Sequence, residues 1–176
     1  MAKLPNTVGG GARTNLNGLQ FEGRTDLRDA IRMHPIYDLD ENDRVVNGEA
    51  VVAQYYEKNG LYKKLLEPSG INYRTVLSKK LLPDGALLVG STIFIIEKKY
   101  QAGAGSVDEK LQTCDFKKKQ YQKLFNPIGI NVEFYYVLNS WFEQPSNRDV
   151  FEYIQSVGCK YFIEVLPLDE IGLELI

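Results

Sequence analysis

Asp84 and the run Glu97-Lys98-Lys99 carry side chains that together can hold a divalent cation and handle a phosphate group. Between them lie two apolar runs separated by Gly90-Ser91, a Gly-X pair of the kind that closes a type II′ hairpin. In a hairpin centred there, Asp84 faces Glu97, with Cβ atoms roughly 4.5–5.5 Å apart. Like charges directly opposite one another are destabilising unless a cation lies between them. Strand periodicity supplies one: Lys99 is two residues beyond Glu97 and shares its face, whereas Lys98 points to the other. A hard cation such as Mg²⁺ takes one or two carboxylates and leaves its other positions to waters and phosphate oxygens. A lysine alongside can orient or deprotonate a water, or balance charge on a pentavalent phosphate, so hydrolysis of a phosphodiester is the natural reaction. The plainer alternative, an exposed hairpin end with a Glu-Lys pair, sits poorly beside an opposed Asp and strands apolar on both faces.

Other chemistries find little support. His34 is the single histidine, which removes His/Cys zinc sites and His-dependent triads. Cys114 and Cys159 are far apart in the chain, lack metal spacing, and read as reduced thiols that fill space. Gly9-Gly10-Gly11 has no strand before it and no Lys-Ser/Thr after it, so it is no phosphate loop, and a kinase or ATPase lacks its nucleotide cradle. A glycosidase also pairs carboxylates, but its pocket is usually rich in sugar-stacking tryptophan, and here there is only Trp141. Trp141 and Phe142 follow an apolar strand and read as packing residues rather than base-stacking ones.

The elements that must position these residues fit one domain. With 176 residues, 44% of them hydrophobic, the chain can bury a sizeable core. Residues 1–13 read as a mobile arm and 14–176 as a single domain. The longest apolar runs are too short to span a bilayer and the N-terminus has no signal-peptide core, so a soluble, cytoplasmic protein is expected. A net charge of −2 does not mark a nucleic-acid binder, but the charge is uneven. Residues 97–123 hold seven lysines against four acids, and residues 143–176 hold seven acids against Arg148 and Lys160. The basic surplus therefore flanks the Asp84–Lys99 hairpin.

Apolar residues at helical spacing predict a first helix between Asn15 and Met33, carrying Glu22. Asn47-Gly48 predicts a hairpin turn between short strands, Leu61–Leu66 a short helix stopped by Pro68 and Gly70, and residues 71–81 an extended stretch. Ser106-Val-Asp-Glu109 is a capping-box sequence opening a helix that ends near Pro127, with Val107, Leu111, Cys114, Tyr121 and Phe125 on its apolar stripe. Residues 132–138 read as a central strand, 147–157 as a helix ending at Gly158, and 160–166 as a final strand. This order gives an α/β fold, an α+β-like sandwich with a mixed β-sheet flanked by helices.

Pro83-Asp84, twelve intervening residues and Glu97-Lys98-Lys99 on an apolar strand resemble the PD-(D/E)XK nuclease superfamily, and the element order resembles its αβββαβ core. The stretches Asn15–Glu22, Glu97–Lys110 and Tyr136–Phe142 look like segments of type II restriction endonucleases. That resemblance implies a restriction-endonuclease-like core, an Mg²⁺-dependent deoxyribonuclease cutting double-stranded DNA at a short specific sequence, and a restriction–modification setting with a cognate methyltransferase. Carried over by residue, it implies that Asp84 and Glu97 ligate Mg²⁺, that Lys99 is the catalytic lysine, and that Glu22 completes the metal site or holds its water. Lys110, Asn17 and Lys98 are the candidates for DNA contact, Lys110 because it begins a helix whose free amides can meet phosphate. Lys117, Lys118 and Lys119 point around their helix and read as a solvated surface. With one active site per chain, cutting both strands of a symmetric target takes a homodimer. The alternatives are a structure-specific repair or mobile-element nuclease of the same fold, and a non-catalytic DNA-binding module.

Overall fold

The computed structural model describes residues 16–103 and 105–174; the arm over residues 1–13 lies outside the described residues. The α-helices and β-strands among the described residues follow one another as β1 (Gly18–Gln20), α1 (Leu27–Met33), β2 (Tyr37–Leu39), β3 (Arg44–Asn47), β4 (Ala50–Tyr56), β5 (Gly85–Val89), β6 (Thr92–Lys99), α2 (Val107–Leu111), α3 (Cys114–Phe125), β7 (Asn131–Leu138), α4 (Arg148–Ser156), β8 (Lys160–Ile163) and β9 (Val165–Pro167). A mixed seven-stranded sheet runs in the order β2-β3-β4-β5-β6-β7-β8. It is antiparallel from β2 to β6 and parallel across β6, β7 and β8, with helices in the two crossovers, as parallel neighbours require.

Alternation along the central strands divides their side chains between two cores. Ile93 and Ile95 of β6, with Phe134, Tyr136 and Leu138 of β7, join Leu111, Cys114, Tyr121 and Phe125 under α2, α3 and α4. Phe94 and Ile96, with Tyr135 and Val137, join Leu27, Ala30 and Ile31 of α1 on the opposite face. Both faces of β6 and β7 are thereby covered, which is why Ile93 to Ile96 and Phe134 to Leu138 are unbroken apolar runs within them. This mixed sheet flanked by helices is the fold class anticipated from the sequence. No helix among the described residues is long and apolar enough to cross a membrane.

The β5–β6 hairpin has the expected register, pairing Gly85 with Ile96 and Val89 with Thr92. Gly90 takes φ 57° and Ser91 does not adopt a positive φ, as a type II′ turn requires. Gly85 matters for space instead, since a Cβ there would come within 2.8 Å of Leu27 Cδ2 where α1 lies on the sheet. The Asn47-Gly48 turn joins β3 and β4, with Gly48 at φ 61°.

Four expectations need correction. The segment 15–33 is not one helix: β1 pairs antiparallel with β9, and α1 begins only at Leu27, where Asp26 caps it by accepting from the Asp29 N–H at 2.8 Å. Residues 71–81 form no strand, because β4 pairs directly with β5 and leaves no edge between them; Ile71, Tyr73 and Val76 pack into the core from a loop. The Ser106 side chain makes no capping bond, and the helix it opens stops at Leu111 before α3 begins at Cys114. The last strand breaks at Glu164, which takes φ 60°, so that β8 stays in the main sheet while β9 turns to β1.

Candidate active site

The last pair of the hairpin register is Gly85 with Ile96, so Asp84 and Glu97 are the next residues at this end, Asp84 just before β5 and Glu97 still within β6. In the parallel pair on the other side, Glu97 lies beside Tyr136 of β7. Glu97 and Tyr136 therefore share the sheet face that packs under α3, whereas Asp84, at the strand end, also lines a cavity with Lys98. Glu97 is buried, at 6% exposure, and a carboxylate so placed needs charged partners. Lys99 Nζ stands 3.3 Å from Glu97 Oε2, on the same face as expected from the spacing. Asp84 is more open, and Lys58 Nζ donates to its Oδ1 at 2.8 Å. Lys58 holds this segment twice, because its own N–H donates to the Pro83 carbonyl at 2.9 Å, and it does so from a left-handed backbone at φ 46°.

The residue that sequence reasoning missed is Lys117. Its Nζ donates to both carboxylate oxygens of Glu97, at 2.8 and 3.1 Å, so the expectation of a solvated surface fails at this position. The signal was present: Lys117 falls three residues after buried Cys114 and four before buried Tyr121, on the inward stripe of α3. Lys118 is also engaged, donating to the Gly158 carbonyl at 2.7 Å, and Lys119 pairs with Asp115 at 2.9 Å. Tyr121, at 1% exposure, reports on the same place. Burial, then Glu97, Tyr62 and Asp84, push its hydroxyl pKa up, so the phenol stays protonated. Burial and Glu97 act in the same way on Tyr136.

The remaining predicted residues lie elsewhere. Glu22 is exposed in the loop between β1 and α1, not on a helix, and its neighbours are tied to the opposite face of β6. Lys98 makes that tie, donating to the carbonyls of Gly23 and Thr25, and burial lowers its pKa. It lines a cavity of about 270 Å³ with Asp26, Glu57, Lys58 and Asp84, so its ammonium is committed to the protein rather than presented on a surface. Lys110 is exposed on the five-residue α2, and Asn17 is exposed beside β1, lining a cavity with Pro167 and Leu168. Trp141 packs edge-on against Phe142, as expected of a packing residue. Cys114 and Cys159 are both free and buried, and although distant in sequence they belong to the same apolar core.

Comparison with protein-family models, with curated proteins and with solved structures returns no match. The chemistry of the site rests on its own residues. Two ion-paired groups stand at this end of the hairpin, Asp84 with Lys58 and Glu97 with Lys99 and Lys117, and both carboxylates act on the Tyr121 hydroxyl. No group of three or more carboxylate, imidazole or thiol side chains gathers as a metal cage among the described residues. Asp84 and Glu97 are the carboxylates here that could serve a cation such as Mg²⁺, which takes few protein carboxylates. Both are paired with ammonium groups, Asp84 with Lys58 and Glu97 with Lys99 and Lys117.

Proposed function

We propose that this protein is an Mg²⁺-dependent endonuclease that hydrolyses phosphodiester bonds of double-stranded DNA, of the type II restriction kind. The observation that supports this reading is the buried Glu97 at the hairpin end, with Asp84 at the adjoining end of β5 and Lys99 against Glu97 at 3.3 Å. Asp84 and Glu97 would hold the cation, which when bound supplies Lewis-acid polarisation of a phosphate oxygen. Lys99, kept on the face of Glu97 by strand geometry, orients the attacking water and offsets negative charge as it grows on the phosphorus oxygens. Tyr121 and Tyr136, held protonated and buried, wall the Glu97 side from bulk solvent and so strengthen its interactions with cations. Glu22 sits on a loop that Lys98 anchors to the other side of β6, so a part for it in metal binding is the weaker half of the reading. With one such site per chain, cleavage of both strands at a symmetric sequence calls for a homodimer, and a cognate methyltransferase would protect the host DNA.

The test is digestion of a plasmid and of a long phage DNA with Mg²⁺ and with EDTA. Discrete, Mg²⁺-dependent fragments whose ends share one sequence are the expected result. Cleavage only at branched or damaged sites would move the assignment to a structure-specific nuclease, and binding without cleavage under any divalent metal would leave a DNA-binding module.

A further inference from the structure

Lys117 makes the closest contacts to Glu97, yet it comes from a helix and not from the strand that carries Glu97 and Lys99. Its ammonium bridges both carboxylate oxygens at 2.8 and 3.1 Å, whereas Lys99 reaches one at 3.3 Å. Two cations on one buried carboxylate leave a positive surplus there, and a divalent ion between Glu97 and Asp84 would add to it. Like charges so close repel, so one ammonium must give way. Lys99 and Lys117 are equally exposed, at 24%, but Lys117 occupies both oxygens of Glu97, the atoms that an incoming ion needs, so it is the ammonium that must leave, and its long stem lets it turn to another partner.

Resting on the nuclease reading above, we propose that Lys117 is an exchanging positioning residue: it aims Glu97 while the metal site is empty and yields it to the divalent ion. It then turns its ammonium to the phosphate of the DNA being cut. The proposal makes Lys117 a competitor for metal in the absence of DNA and a partner for DNA in the presence of metal. A lysine that merely stabilised the fold would be neither.

The experiment measures Mn²⁺ binding by calorimetry without DNA, and DNA binding in Ca²⁺, for the wild type, Lys117→Met and Lys117→Gln, with Lys119→Met as a surface control. Removing the competing ammonium should tighten Mn²⁺ binding at least about fivefold in both Lys117 variants, a coupling of ordinary size between linked sites. The same variants should lose at least about fivefold in DNA affinity when Ca²⁺ is present and much less when it is absent. The control should match the wild type in both. Unchanged or weaker Mn²⁺ binding by a folded Lys117→Gln protein, or a loss of DNA affinity independent of metal, overturns the exchange. If Lys117→Met does not fold, the Gln variant, which keeps the length and one hydrogen bond, decides. A wild type that binds no divalent ion overturns the exchange together with the nuclease reading, whereas a wild type that binds Mn²⁺ through Asp84 and Glu97 but is indifferent to Lys117 overturns the exchange alone.

Discussion

Glu97 lies almost out of solvent, accepts from Lys117 and is ion-paired with Lys99, so its loss is felt by both of them. Glu97→Ala leaves Lys99 and Lys117 facing each other without a counterion, and should cost about 1–3 kcal/mol in a urea unfolding measurement. An unchanged unfolding midpoint would mean that the two ammonium groups are well solvated and that the cluster is looser than described. The β5–β6 register and the Glu97–Lys99 contact were legible in the sequence because a two-residue turn fixes the register of everything near it, and the parity of a strand does the rest. Lys117 was not, since its contact with Glu97 spans 20 residues and depends on how α3 lies over the sheet. A triple lysine reads as solvated surface until one member is placed on the apolar stripe of its helix. Glu22 shows the opposite failure, where a plausible helical spacing gave an acid a position that β1 pairing denies it.

At the scale of elements, the hairpins and the β6–helix–β7 crossover followed from local pattern, and the errors fall where pairing is distant. The apolar residues of 71–81 signalled burial correctly, but they reach the core from a loop, and only knowledge that β4 pairs with β5 would have excluded a strand. The stretch 160–166 is one apolar run that Glu164 divides between two sheets, a decision made by the partner strand β1. The end of α1 carries a pH dependence. His34 is 5% exposed, its Nε2 lies 3.0 Å from the Leu16 carbonyl, and its Nδ1 accepts from the N–H groups of Ile36 and Tyr37. Desolvation lowers its pKa below the ordinary value of 6.5, and a proton on Nδ1 would abolish both accepted bonds. The unfolded chain thus binds the proton more readily, so stability is complete above pH 6.5 and declines as pH falls towards the lower folded-state value. Thermal unfolding from pH 7 to pH 5 should show this decline, and His34→Gln should flatten it. A wild-type melting temperature constant over that range would show the imidazole to be equally basic in the folded and unfolded chains.

Over the described residues, one sheet separates two apolar cores, and charge enters the face under α3 at the end of β6. This arrangement lets a rigid centre hold a charged site at its rim. Phe134, wholly buried on the interior strand β7, should cost about 3–5 kcal/mol on substitution by Ala, measured by chemical denaturation, because the strands around it cannot collapse into the space left. A cost below about 1 kcal/mol would show that this core is loosely packed, and a loose core could not fix Glu97 against α3. The claim on which the functional reading stands is that Asp84, Glu97 and Lys99 hydrolyse DNA together with a metal ion. The direct measurement is the initial rate of supercoiled-plasmid cleavage in Mg²⁺ by the wild type, Glu97→Gln and Lys99→Ala, each first shown to be folded. The account predicts Mg²⁺-dependent cleavage by the wild type and a loss of at least about 100-fold in each variant. Cleavage that survives in folded Lys99→Ala, or that proceeds equally well in EDTA, would contradict it.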